Sequence, residues 1–233
     1  MNSIADNLAR IHETIAAAAR QSGRRPEDIK LIAVSKTHPP ETIDAAVRAG
    51  QRLFGENTIQ EALTKIPSFA GRDLEWHFIG HLQSNKAKFI PGNFTWVHSL
   101  DDLKLAQRLS RVAQDKHGTV HSLIEVNVTG DPNKHGVAPS RLLPLLDELA
   151  HADLPGIRLR GLMTIGPYPA SERERRVAFE QLRELRDGAR ERFSLPDLTE
   201  LSMGMSGDYA DAIAEGSTMV RIGTAIFGER SYT

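Results

Sequence analysis

One lysine is a candidate for covalent chemistry because of the residues that precede it. Lys36 lies in the segment K-L-I-A-V-S-K-T-H (residues 30–38), directly behind an unbroken apolar run and one serine. Such a run predicts a short strand buried on both faces. In parallel α/β proteins, reactive side chains gather where strands of this kind end. A partly desolvated lysine at that position gives up its proton more readily, and its neutral amine can attack a carbonyl group.

Two later segments have the composition of a phosphate site. They read S-M-G-M-S-G-D (residues 202–208) and R-I-G-T (residues 221–224). Hydroxyl groups, and glycines that let backbone N–H groups approach, are what a phosphate dianion needs. In an eight-stranded α/β barrel, the loops after strands seven and eight commonly form such a site. Alone, Ser206 could be a helix cap and Gly223 a turn, but the pairing of the two loops favours phosphate.

A nucleophilic lysine beside a phosphate site has two common explanations. The phosphate belongs either to pyridoxal phosphate, a cofactor held by the lysine, or to a sugar-phosphate substrate of an aldolase-like enzyme. Arg221 favours the cofactor, because an arginine leading from the eighth strand could approach the pyridine nitrogen of the ring. Arginine is always charged and accepts no hydrogen bond, so it would keep that nitrogen unprotonated. The alternative for Arg221 is a surface ion pair.

The elements predicted around these residues alternate between strand and helix. Eight strands are predicted at residues 31–34, 52–54, 75–79, 95–98, 120–128, 158–165, 200–203 and 219–222. Helices are predicted at residues 3–20, 42–49, 58–65, a segment through Phe89, 101–116, 141–150, 172–192 and 208–215. This alternation predicts an α/β fold, a single-domain (β/α)8 TIM-like barrel over residues 1–233. A doubly wound open sheet is the alternative, since a strand count does not show closure.

The predicted barrel has an additional helix at its N-terminus and lacks one at the other end. Only about ten residues follow the eighth strand, too few for a full closing helix. The helix at residues 3–20, whose apolar residues recur at helical spacing after Asn2 or Ser3 as a cap, is expected to cover that gap.

Composition excludes several classes of function. With 29 basic and 30 acidic residues the net charge is −1, so no overall field favours nucleic acid or an anionic membrane. The chain has no cysteine, which excludes disulfides, thiolate catalysis and cysteine-ligated metals. It shows no secretory signal and no apolar run near the roughly 20 residues needed to cross a bilayer. We therefore expect a cytoplasmic protein.

Seven segments, spread in order over nearly the whole chain, carry a family resemblance. They are L-I-A-V-S-K (31–36), F-G-E-N (54–57), W-H-F-I-G-H-L-Q-S-N-K (76–86), K-H-G (134–136), G-L-M-T-I-G (161–166), L-S-M-G-M-S-G-D (201–208) and V-R-I-G-T-A-I-F-G-E-R (220–230). Together they resemble the pyridoxal phosphate homeostasis protein family, single-domain relatives of the alanine racemase N-terminal barrel.

The resemblance implies a barrel of pyridoxal phosphate fold type III and a set of site residues. Lys36 would hold pyridoxal 5′-phosphate as a Schiff base, and Arg221 would lie at the pyridine nitrogen. Asn57 would line the pocket. The residues implied about the phosphate are Ser202, Ser206, Gly223 and Thr224.

The same resemblance limits the chemistry. Racemases of this fold add a β-domain and a partner subunit that supply a tyrosine opposite the lysine, and this chain has room for neither. Tyr168, Tyr209 and Tyr232 have no obvious claim to that role, although Tyr168 might reach the mouth. Two-base racemisation then lacks a second proton carrier. The implied function is a non-catalytic, monomeric carrier that buffers pyridoxal phosphate or delivers it to apoenzymes. A racemase or decarboxylase with an unidentified substrate is the alternative.

The remaining candidate residues give weaker signals. His77 and His81 are four apart but lie at a strand end, so a structural or pocket-lining role is favoured over a metal site, and no metal is predicted. Lys134 and His135 are read as solvated loop residues, with contact to a ligand or client enzyme as the alternative. Lys65 is expected to have no bearing on cofactor binding.

Overall fold

The computed structural model describes residues 3–228, and its centre is a closed barrel of eight parallel strands. The strands are β1 (Lys30–Val34), β2 (Leu53–Glu56), β3 (Glu75–Phe78), β4 (Trp96–Leu100), β5 (Val120–Glu125), β6 (Ile157–Met163), β7 (Glu200–Ser202) and β8 (Met219–Ile222). Each strand pairs with the next in sequence, and β1 closes the ring against β8. The predicted barrel is confirmed, and the open-sheet alternative is wrong.

Helices follow the strands around the outside of the barrel. They are α1 (Ile4–Gln21), α2 (Pro40–Arg48), α3 (Ile59–Lys65), α4 (Leu103–Asp115), α5 (Pro139–Ala150), α6 (Glu172–Arg192), α7 (Tyr209–Ala214) and α8 (Thr224–Phe227). Local sequence explains where several begin. Ser3 and Ser171 open α1 and α6 with capping boxes, and Asp102 caps α4 through the backbone N–H of Leu105.

The N-terminal helix covers the gap left by the short α8. Leu8, Ile11 and Ile15 form its buried face, and it packs against α7 and α8. The Asn7 side chain donates a hydrogen bond to the carbonyl of Ile226 at 2.9 Å. This packing satisfies the sequence-based expectation for α1.

Two apolar regions lie on opposite sides of the barrel wall. The larger fills the space between strands and helices. The smaller lies inside the barrel and consists of Ile32, Trp96, Leu123, Met163 and Met219, with Leu53 packed against it. The interior is otherwise lined by polar residues, which matters for the site described below.

The structure differs from the predicted elements mainly at their ends. The segment before Phe89 is a 3₁₀ helix, Ser84–Phe89, rather than an α-helix. The predicted strand 120–128 ends at Glu125, and the next residue, Val126, makes only an isolated bridge with Val137. Within residues 3–228, no helix combines the length and the apolar character required to cross a membrane.

Candidate functional site

A cavity of about 470 Å³ opens at the carboxyl ends of the strands. It is bordered by the ends of β1 and β2 and by the loops after β6, β7 and β8. Six of the seven predicted site residues line it, namely Lys36, Asn57, Ser206, Arg221, Gly223 and Thr224. Met163, Ile165 and Met205 add apolar surface to the same wall.

Lys36 is half-buried and lies two residues beyond the end of β1. The next residue, Thr37, has a positive φ of 66°, so the chain turns sharply directly after the lysine. The alignment of β1 with β8 pairs Ile32 with Arg221. Lys36 and Arg221 therefore come to the same cavity from neighbouring strands.

A buried ion-pair cluster, hereafter the Lys65 brace, fixes the backbone on both sides of Lys36. Lys65 lies at the end of α3 and is 5% exposed. Its ammonium donates to the carbonyl of Ser35 at 2.9 Å and contacts Glu56 Oε1 at 3.1 Å and Glu61. Glu61 also accepts a hydrogen bond from the backbone N–H of Thr37. Lys65 is therefore a structural neighbour of Lys36, while its expected lack of effect on cofactor binding stays a prediction.

Glu56 is the buried carboxyl of this brace. Its Oε1 accepts from the Ser35 hydroxyl at 2.7 Å, while its Oε2 is buried without a hydrogen-bond partner among the described residues. Burial raises the pKa of Glu56, and the Lys65 ammonium and the Ser35 hydroxyl oppose that shift. The brace therefore offsets part of the cost of burying the Glu56 carboxylate.

Arg221 enters the cavity from inside the barrel. It is 5% exposed, and its two terminal nitrogens donate to Ser202 Oγ at 2.6 Å and to the carbonyl of Thr164 at 2.9 Å. Burial lowers its pKa to about 10, against the attraction of Asp208 and Glu125. The guanidinium thus remains charged at neutral pH, and neutral oxygens hold it.

The loops after β7 and β8 supply hydroxyls and close backbone approach. Ser206, Gly207 and Thr224 line the cavity. At Gly223 a Cβ would lie 3.2 Å from the carbonyl oxygen of Val34, so a larger residue would crowd the end of β1. Asp208 lines the same wall, where burial raises its pKa and its Oδ1 accepts from the backbone N–H of Met205.

Ser202 does not line the cavity. Its side chain is fully buried behind Arg221, and its Oγ lies 2.9 Å from His98 Nδ1. The residue ends β7 with its side chain directed into the barrel, one layer below the loop that carries Ser206. Its predicted contact with phosphate is therefore replaced by a contact with the arginine.

Asn57 follows β2 and is brought to the cavity by a close backbone contact. A Cβ at Gly80 would lie 2.0 Å from the carbonyl oxygen of Asn57, so glycine is required for the two loops to meet. The Oδ1 of Asn57 is buried without a hydrogen-bond partner among the described residues. A buried polar atom at a cavity wall is available to a ligand.

The weaker candidates have structural contacts. His77 is fully buried in the barrel, whereas His81 stacks on His135 with ring centroids 3.9 Å apart. Lys134 donates to the carbonyl of Gly166 at 2.8 Å and joins the loops after β5 and β6. In the described part of the chain, no group of three or more His, Cys, Asp or Glu could hold a metal ion.

Tyr168 lies on the cavity wall and is 92% exposed, and Tyr209 begins α7. Tyr232 lies outside the described residues.

Sequence reasoning missed Glu56 and Glu61, which pair with Lys65 beside the backbone of Lys36. The available signal was in the F-G-E-N segment, because a glutamate that ends a buried strand needs a partner inside the protein.

Comparisons with known proteins agree with this geometry. The family described as "Alanine racemase, N-terminal domain" matches residues 6–231. The "Pyridoxal phosphate homeostasis protein" of Escherichia coli (strain K12) is 47% identical over 241 residues, which cover 100% of this chain and 99% of the relative. The chain belongs to the pyridoxal phosphate homeostasis protein family. PipY of Synechococcus elongatus PCC7942, a structure with PLP bound, matches with a TM-score of 0.85 and 38% identity over 97% of this chain and 100% of that one.

More distant structures share the barrel of this homeostasis protein family. Alanine racemase of Clostridium difficile 630 matches with a TM-score of 0.75 at 15% identity, covering 96% of this chain and 57% of the racemase. At that identity the likeness shows the fold alone. The barrel of the homeostasis family is thus the alanine racemase N-terminal type.

Proposed function

We propose that this protein is a cytoplasmic, monomeric, single-domain carrier of pyridoxal 5′-phosphate (PLP), which it binds through Lys36 and delivers to apoenzymes. One observation carries the proposal. Lys36, Arg221 and the loops after β7 and β8 meet at one cavity of about 470 Å³. The family relatives named for PLP homeostasis, and PipY with PLP bound, support the same ligand.

The charges on the cavity wall fit this ligand. The ionisable residues of opposite sign that line it are three basic ones, Lys36, Arg175 and Arg221, and one acidic one, Asp208. Arg175 is itself paired with Asp211 at 2.6 Å. A phosphate monoester carries up to two negative charges at neutral pH. The Oδ1 of Asn57, which has no hydrogen-bond partner within residues 3–228, would give the ligand a further polar contact.

Each side chain has a distinct part in binding. Lys36 would hold the cofactor through a reversible covalent bond to its aldehyde carbon, with one water released for each bond formed. The hydroxyls of Ser206 and Thr224 would bind the phosphate, beside the backbone at Gly207 and Gly223. Arg221, which donates hydrogen bonds and accepts none, would keep the ring nitrogen unprotonated. Bound PLP supplies an electron sink, which an unprotonated ring nitrogen weakens.

Absorption spectroscopy with borohydride reduction and peptide mapping tests the proposal. We expect purified protein incubated with PLP to gain visible absorbance, and the reduced adduct to map to Lys36. Lys36→Ala should abolish the absorbance. Lys104→Ala is the matched control, because Lys104 is an exposed lysine on α4 that forms no ion pair with the described residues. An adduct on another lysine, or protein that stays colourless, would refute the site.

An amino-acid racemase is the second candidate, because Tyr168 lies on the cavity wall and could act as a second proton carrier. The two functions are separated by assaying PLP-loaded protein against a broad panel of amino acids. A carrier shows no turnover above free PLP. Turnover that is lost in both Lys36→Ala and Tyr168→Phe would establish the racemase instead.

A further inference from the structure

A continuous chain of buried polar side chains crosses the interior of the barrel and ends at Arg221. Glu75 begins it at the amino end of β3, where its carboxyl is 38% exposed. From there the chain passes through His77, His98 and Ser202. The successive distances are 3.0 Å from Glu75 Oε1 to His77 Nε2, 2.9 Å from His77 Nδ1 to His98 Nε2, 2.9 Å from His98 Nδ1 to Ser202 Oγ and 2.6 Å from Ser202 Oγ to Arg221.

With both imidazoles neutral, only one arrangement of protons satisfies every link. Arg221 can only donate, so Ser202 Oγ accepts its N–H and has one hydroxyl proton to give. That proton goes to His98 Nδ1, which leaves the His98 proton on Nε2 for donation to His77 Nδ1. His77 then carries its own proton on Nε2 and donates it to the Glu75 carboxylate. Every donor points away from Arg221 and towards Glu75.

The reverse arrangement fails at both ends. His98 would donate to Ser202, and the serine hydroxyl would need another acceptor, although the described residues provide Ser202 Oγ with no hydrogen bond beyond those to His98 and Arg221. His77 would present a lone pair to Glu75 at 3.0 Å, which requires a protonated carboxyl. The hydrogen bond from His77 instead lowers the pKa of Glu75. The carboxylate and the reverse arrangement are therefore incompatible.

The surroundings keep both imidazoles neutral. Burial lowers the pKa of His77 and lowers that of His98 well below its usual range. The titratable and charged groups that face this row of buried side chains from other strands are Lys30 of β1, Glu200 of β7, His121 of β5 and Arg221 of β8. The ring of Trp96 on β4 stacks on His77. Lys30 and Glu200 pair with each other at 3.1 Å, which limits their net effect.

We propose that Glu75, His77, His98 and Ser202 are positioning residues that form a one-way hydrogen-bond relay and hold the Arg221 guanidinium at the cavity. The relay connects a carboxylate at the amino end of the barrel to a cation at the carboxyl end. Each bond polarises the next, so the negative charge of Glu75 makes Ser202 Oγ a better acceptor for Arg221. The direction of the hydrogen bonds in the relay is independent of any ligand. The effect of the relay on the retention of PLP rests on the proposed function.

Nitrogen NMR of histidine-labelled protein tests the direction. The ¹⁵N shifts separate the two neutral tautomers from the charged ring, and Gln variants of each histidine assign the signals. We expect His77 and His98 to be neutral Nε2–H tautomers from pH 6 to 8. A proton on Nδ1 of either ring, or titration of His98 near pH 6.5, would overturn the relay whether or not PLP binds.

Release of PLP from loaded protein tests the effect on Arg221. We expect Ser202→Ala to speed release about tenfold, Glu75→Gln to speed it by a smaller factor of about three, and Ser202→Thr to restore retention. Glu200→Gln is the matched control, a glutamate at the same end of the barrel that contacts Lys30 and Thr218 rather than the relay. Equal release from Glu75→Gln and Glu200→Gln would overturn the role of Glu75. Wild-type protein that binds no PLP would instead refute the proposed function.

Discussion

Lys36 and Arg221 reach one cavity from neighbouring strands, but they are supported in opposite ways. The Lys65 brace lies outside the barrel wall, consists of full charges, and holds backbone atoms of Ser35 and Thr37. The support of Arg221 lies inside the barrel, consists of uncharged links near the arginine, and holds its guanidinium directly. A lysine that must reach a ligand needs a fixed loop beneath its side chain. An arginine that must stay in place needs fixed nitrogens.

This comparison predicts that the charged support is the more costly one to break. Replacing Lys65 by Met leaves Glu56 buried without its cation, so the free energy of unfolding should fall by about 3–5 kcal/mol. Urea denaturation measures it. Lys104→Met, an exposed lysine on α4, is the control and should change stability by less than about 0.5 kcal/mol. Equal effects from the two lysines would show that the brace contributes nothing.

Glu125 is a buried carboxyl near Arg221, and no cation in the described part of the chain is paired directly with it. Burial raises the pKa of Glu125 to about 7, against the attraction of Arg221. The folded state then binds more protons than the unfolded chain between about pH 4.5 and 7, so this group lowers stability as pH rises through that window. Relative to wild type, Glu125→Gln should gain up to about 3 kcal/mol between pH 4 and 8. Urea denaturation at several pH values measures the gain, and a difference independent of pH would contradict it.

Removing a neutral link should cost less than removing Lys65. Ser202→Ala leaves His98 Nδ1 and one Arg221 nitrogen without their partner, which costs about 1–3 kcal/mol. Because the lost hydroxyl is uncharged and buried, the cost should be the same in 0.05 M and 1 M NaCl. Denaturation at the two salt concentrations measures it. A cost that falls strongly with salt would show that charge, rather than hydrogen bonding, dominates this support.

The smallest effect should come from the outer carboxylate of the Lys65 brace. Glu61 is 27% exposed, so Glu61→Gln removes a solvent-screened charge while Lys65 keeps Glu56. We expect a loss below about 1 kcal/mol that shrinks in salt. A loss as large as that of Lys65→Met would mean that Glu61, not Glu56, is the principal partner of the lysine.

The fold could be predicted because its signals are local and repeated. Short strand-forming segments, punctuated by glycine and by helix caps, recur eight times, and right-handed connections between them leave few arrangements other than a barrel. Lys36 and Arg221 could be placed at the mouth for the same reason, since each belongs to a strand or directly follows one. The loops after β7 and β8 were identified by composition alone.

The supporting residues could not be predicted because their partners are distant in the chain. Ser202 and His98 are 104 residues apart, and Lys65 is 30 residues from Ser35. Whether a strand residue faces the barrel interior or the helices also depends on register, which a single sequence does not fix at a loop boundary. Ser202 was therefore assigned to the phosphate with Ser206, although it lies behind Arg221.

The pairing of β1 with β8 gives the cavity a particular place in the folding of the chain. Lys36 follows the first strand and Arg221 lies on the last, and the seam between them is the contact of longest sequence separation in the sheet. Contacts of this kind form at a high entropic cost in loop closure. On the ribosome, a nascent chain that lacks β8 has the lysine but no arginine beside it. The capacity to hold a ligand between them thus arises only when the ring closes, and a ligand bound there stabilises the closed ring over any partly folded form.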